Sequence, residues 1–122
     1  MERLIVNFPE RHILIGKRKV KLPFQGWQLL MLLVRAHGAV VSYASIVDEL
    51  WPNANTQPDG WDMCMRTVAH GIRKRTAGSG IRIVAEPKWG FRLEMPEDAI
   101  VSDLAKSHAY RWRDPKAVFG IT

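Results

Sequence analysis

The chain has 122 residues, 47% hydrophobic and 25% charged, with one cysteine and a formal net charge of +6. That length fits one domain with a core of its own, so neither a disulfide framework nor a structural metal is needed to explain stability. No apolar run approaches the roughly 18 residues of a membrane span, and the opening MERLIVNFPE lacks the apolar segment and cleavage site of a secretory signal, so a soluble cytoplasmic chain with no membrane partner is expected.

The excess charge favours an anionic partner, and its distribution is uneven. Residues 1–22 carry six basic and two acidic side chains, and residues 61–93 carry seven and two. Residues 23–60 carry one and three, and residues 94–122 four and five. The pattern describes a localised footprint rather than a uniformly charged surface.

Residues 4–22 read as three short strands, LIVNF, HILIG and KVKL, separated by Pro9-Glu10 and by Gly16-Lys17-Arg18. Proline and glycine at those places are turn formers, and the β-branched residues between them suit a small antiparallel sheet. Lys17, Arg18, Lys19 and Lys21 either touch phosphate or keep an exposed edge soluble, and the second reading is the commoner one. From Phe24 to about Ala36 the sequence is apolar nearly all round, which predicts the central, most buried helix, ended by His37-Gly38. Its Trp27 is read as packing. Val40 and Val41 form a brief extended link, and Ser42 is the N-cap of a second helix through Trp51 with Ile46, Val47, Leu50 and Trp51 on one apolar face. Pro52 stops that helix, and PNANTQPDG is a loop rich in turn formers.

The loop leads into WDMCMRTVAHGIRKR, Trp61 to Arg75. At 100° per residue, Trp61, Cys64, Met65, Val68, Ala69 and Ile72 fall in one arc, the stripe of a helix lying on a core. The cysteine on that stripe is a packed thiol rather than a nucleophile or ligand. Met63, Arg66, Thr67, His70 and Lys74 point away from the stripe, and Asp62 and Arg73 flank it. Donors with one apolar tip and a single acid match what reads base edges and holds phosphate in a major groove; the alternative is an ordinary solvated face. Gly71 costs helix stability, which a close approach of DNA or of another helix would offset. His70 either couples binding to pH or acts as a neutral hydrogen-bonding group, and the second is the plainer reading.

After Arg75, TAGSG breaks the helix. Ile81 to Ala85 and Phe91 to Met95 then flank Glu86-Pro87-Lys88-Trp89-Gly90, a hairpin with a turn at its tip. A hairpin directly after a reading helix is a wing, and Lys88 is its candidate for phosphate or minor-groove contact. Trp89 either folds back as core or meets nucleic acid. Pro96-Glu97-Asp98 opens a short helix through about His108 with Ile100, Val101, Leu104 and Ala105 as its apolar face. Tyr110-Arg111-Trp112-Arg113 interleaves aromatic and basic groups, which stack on nucleic acid, cap the core or meet a second subunit; one of the last two is favoured. Histidines 12, 37, 70 and 108 are dispersed, and there is no phosphate-cradling glycine loop, carboxylate pair or metal-ligand spacing. An enzyme is therefore not expected, nor a cofactor or metal.

The order of strands, buried helix, second helix, loop, basic helix and hairpin resembles the winged-helix DNA-binding domain of OmpR/PhoB-type response regulators. The resemblance covers residues 4–95 and is carried by LPFQGWQLLMLLVRAHGAVVSYASIVDELW, by GIRK at the end of the third helix, and by IRIVAEPKWGFRL. It implies sequence-specific binding of double-stranded DNA by a transcription regulator, as a tandem or symmetric pair. Carried over by position, it puts Arg66, Thr67, His70, Arg73 and Lys74 of the recognition helix and Lys88 of the wing at the DNA; Met63 and Arg75 of the same helix complete the candidate contacts. It also makes loop 52–60 a candidate contact for RNA polymerase, with a homodimer on DNA as the expected pairing. The chain departs from the family where His70-Gly71 replaces adjacent arginines, where Pro87-Lys88 replaces a wing arginine and glycine, and where Pro23 and Gly26 replace the first helix's threonine and glutamate. That family's phosphoacceptor domain is not expected in these 122 residues. The expectation is thus an α+β winged helix-turn-helix over residues 1–95, with N-terminal antiparallel strands, a three-helix core and a hairpin wing, followed by a C-terminal extension over residues 96–122. The rival reading is a winged-helix module that binds polymerase or another regulator as a protein.

Overall fold

Strand β1 (Leu4–Asn7) buries Leu4 and Val6 and half-covers Ile5 and Asn7, the period of two that a sheet with one core face requires. A computed structural model describes residues 3–102 and 109–112. β2 (His12–Ile15) and β3 (Arg18–Val20) follow as antiparallel neighbours, with Val6 opposite Ile13 and Ile13 opposite Val20.

Helix α1 (Phe24–Arg35) buries Trp27, Leu29, Leu30, Leu33 and Val34, and the Trp27 ring stands edge-on to Phe8 at 5.7 Å. It stops where His37 and Gly38 take positive φ angles of 52° and 89°, the left-handed turn that ends many helices. Phe24 departs from the apolar reading. It is 64% exposed, with the Arg11 guanidinium 6.0 Å from its ring. β4 (Val41–Ser42) leads into α2 (Tyr43–Leu50), whose N-cap is Ser42: its hydroxyl accepts from the Ser45 backbone N–H at 3.1 Å. The loop after α2 contains one 3-10 turn, Ala54–Thr56, where the Asn53 side chain and carbonyl accept from the N–H groups of Asn55 and Thr56. α3 (Trp61–Arg75) has the expected bounds, and β5 (Arg82–Glu86) and β6 (Gly90–Glu94) form the expected hairpin. β4 pairs with the other edge of β6, giving a three-stranded sheet in the order β4-β6-β5.

The segment after residue 95 corrects the sequence reading. The short helix expected from Pro96 to His108 is replaced at its described end by a strand, β7 (Ile100–Ser102), which pairs in parallel with β1. β8 (Ala109–Arg111) adds antiparallel to β7, so the N-terminal sheet is mixed and has five strands, β3-β2-β1-β7-β8. Residues 103–108 of the expected helix lie outside the described residues. The free edge of β1 would otherwise hold unpaired backbone groups. Ile100-Val101 supplies two consecutive β-branched residues to cover it, and Ala99 and Val101 are fully buried. One apolar cluster joins Val6 and Ile13, Leu30 and Leu33, Ile46, Met65 and Ile72, Leu93, and Val101 with Trp112.

Candidate nucleic-acid interface

The chemistry starts with which side of α3 the core consumes. Met65, Ala69 and Ile72 are buried, and Trp61, Cys64 and Val68 lie half-buried beside them, so the cysteine is on the flank of the stripe rather than sealed beneath it. Asp62 sits in the first turn and Arg73, Lys74 and Arg75 in the last, the arrangement the helix dipole favours. Met63, Arg66, Thr67, His70 and Lys74 are exposed on the opposite face, a row extending roughly 16 Å at 1.5 Å per residue. The Thr67 hydroxyl donates to the Met63 carbonyl at 2.9 Å, which leaves its methyl and lone pairs for a ligand. No hydrogen bond or ion pair to another described residue holds Arg66, His70, Lys74 or Lys88.

The other cations of α3 are engaged within the protein. Arg73 donates from Nε at 3.0 Å and from Nη2 at 2.6 Å to the carbonyl of Ile83, fastening the helix to β5 of the wing. Arg75 donates to the carbonyl of Lys21 at 3.3 Å, and Arg18 donates to that of Ala77 at 3.1 Å. These two bonds bring the basic β2–β3 hairpin, with Lys17, Lys19 and Lys21 exposed, to the C-terminal end of α3. The eight sequence candidates therefore separate into Met63, Arg66, His70, Lys74 and Lys88, whose side chains are unengaged, Thr67, whose hydroxyl bonds only within α3, and two arginines that brace the fold.

The wing neutralises its own stem. Arg92 donates to Glu86 at 2.8 Å and to Glu94 at 2.6 Å, and Arg82 lies 3.3 Å from Glu94. Hydrogen bonding to Glu86 first and Glu94 second raises the Arg92 pKa above its usual value, so the guanidinium stays charged. The tip is different. Lys88 takes a positive φ of 72°, the Trp89 backbone N–H donates to the Glu86 carbonyl, and the Trp89 carbonyl accepts from the Tyr43 backbone N–H at 3.1 Å. Gly90 admits no side chain, because a Cβ there would collide with the Val41 carbonyl of β4. Trp89 is 73% exposed, which excludes its folding back as core. Trp112 does the reverse: it is 2% exposed, stacked on His37 with the rings 6.2 Å apart, and bonded through its backbone N–H to the Ala99 carbonyl. It caps the core. Arg113 lies outside the described residues.

One role was missed from sequence, and one alternative stayed open there. Arg73 reaches a backbone carbonyl, which leaves no trace in side-chain pattern. Trp89 shares the odd-number parity of the buried Phe91 and Leu93, and only the turn over residues 87–89 breaks that parity.

Neither a protein-family model nor a curated protein matches the chain by sequence. Among solved structures, it is similar to the DNA-binding domain of the response regulator AdeR, determined in complex with an intercistronic region. That match has a TM-score of 0.60 at 13% identity and covers 79% of this chain and 98% of AdeR's. It is also similar to the DNA-binding domain of Escherichia coli CadC, with a TM-score of 0.57 at 18% identity over 79% of this chain and 94% of that one. The three described α-helices, the N-terminal sheet and the hairpin give this chain the winged-helix fold of these DNA-binding domains.

Proposed function

We propose that the chain is a sequence-specific, double-stranded-DNA-binding transcription regulator that seats α3 in the major groove and the wing on phosphate or in the adjacent minor groove. The observation that carries this is the exposed face of α3. It holds a row of donors and one apolar tip with Arg66, His70 and Lys74 unpaired by any described acid, beside a wing to which Arg73 bonds the helix. Arg66 reaches guanine O6 and N7 in two directions at once, the Met63 tip and Thr67 methyl suit a thymine methyl, and His70 hydrogen-bonds a base edge. Lys74 and Lys88 serve phosphate. Similarity of fold to the AdeR domain, whose structure includes DNA, supports the same reading. On this account the partner is duplex DNA engaged by a pair of chains. Loop 52–60, whose described side chains are nearly all exposed, is offered to RNA polymerase, and the work is done in the cytoplasm without catalysis.

The test is duplex affinity measured across a salt series. Each phosphate contact contributes about 0.9 to the slope of log affinity against log salt. Charge reversal at Arg66 and Lys74 together is expected to abolish binding with an unchanged melting curve. A folded double variant that binds duplex as the parent does would refute the proposal.

A further inference from the structure

Among the described residues Trp89 is the most exposed large hydrophobic side chain, at 73%, yet its backbone is bonded on both sides. Its N–H is bonded to Glu86, its carbonyl to the N–H that opens α2, and the next residue is wedged against β4. The chain therefore fixes the backbone from which the indole projects while leaving the ring in water. Beside it, Lys88 is held in the left-handed region with no described partner. Below the tip, Arg82, Glu86, Arg92 and Glu94 pair with one another, so the stem presents no free charge.

The geometry points to a two-part minor-groove contact at the wing tip: Trp89 lays its ring against the deoxyribose walls and base edges while Lys88 meets a phosphate at the groove's rim. This rests on the DNA-binding reading above and extends it to a residue outside the original set. A minor groove offers apolar sugar walls about 6 Å apart between two rows of anions, and architectural proteins enter it with apolar side chains beside cations. A protein partner would need an apolar surface continuous with the indole. On the stem side the paired charges interrupt one.

The experiment follows binding of the full chain to a labelled short duplex of random sequence, by fluorescence anisotropy over a salt series. Trp89→Ala is expected to weaken binding about tenfold at every salt concentration, because an aromatic contact carries no counterion, and Trp89→Phe to recover much of the loss. Lys88→Gln is expected to reduce the salt slope by about 0.9. With the groove saturated by a netropsin-type minor-groove ligand, the parent is expected to fall to the affinity of Trp89→Ala. The melting curve of Trp89→Ala should match the parent's, since the ring is exposed. Parent-like affinity of Trp89→Ala overturns the inference while leaving the DNA-binding reading intact, as does a loss that netropsin fails to reproduce. Loss of self-association with unchanged DNA affinity overturns it in favour of a protein contact. Failure of the parent itself to bind duplex refutes the underlying function and the inference with it.

Discussion

Replacing Arg73 separates a clamp from a DNA contact. In Arg73→Ala the Ile83 carbonyl loses two donors, at 3.0 and 2.6 Å. Bonds from a charged group contribute roughly 1.5 to 3 kcal/mol each, but the two converge on one acceptor and the arginine is largely exposed, so about 2 kcal/mol in all is expected. At roughly 4 °C per kcal/mol for a domain of this size, the melting temperature falls by about 8 °C. Arg73→Lys keeps the charge without the planar pair of donors, so it should lose most of the same stability. The assay is thermal unfolding by circular dichroism together with the salt slope of duplex binding. Both variants should melt early and keep the parent's slope. An unchanged melting temperature with a slope reduced by about 0.9 would mean that Arg73 stands on phosphate, and the clamp argument would be wrong.

Two glycines give opposite expectations. Gly90→Ala drives a methyl into the Val41 carbonyl and should cost about 3 kcal/mol, with the wing displaced from β4; a melting curve like the parent's would contradict the β4–β6 register. At Gly71 a Cβ meets no atom within 4 Å, so Gly71→Ala should raise stability by about 0.5 to 1 kcal/mol, read by thermal unfolding. A rise in stability accompanied by loss of duplex affinity would identify the bound duplex as what approaches the backbone there. A fall in stability would show that the packing around α3 has been misjudged.

Local pattern carried most of the fold. The bounds of α3, the Ser42 cap and the wing all follow from period, cap and turn residues close in sequence, because each depends on contacts within a few positions. The tail did not follow. Ile100, Val101, Leu104 and Ala105 fit a helical face as well as a strand, and the choice at Ile100–Ser102 is made by the open edge of β1, more than ninety residues earlier. Non-local backbone pairing leaves little imprint on a short segment. The unengaged face of α3 was legible for the same local reason that its buried stripe was. That Arg73 and Arg75 spend donors on carbonyls of β5 and of Lys21 was not, since a backbone acceptor has no residue type.

In the proposed complex the free face of α3 lies in one groove while the tip of the wing lies in the other. Dimethyl sulfate footprinting on a duplex enriched from a random pool tests it directly, because guanine N7 is reached from the major groove and adenine N3 from the minor. Protection of guanine N7 that Arg66→Ala abolishes, flanked by protection of adenine N3 that Trp89→Ala abolishes, is the predicted result. Protection confined to one groove, or unaltered in both variants, would contradict it.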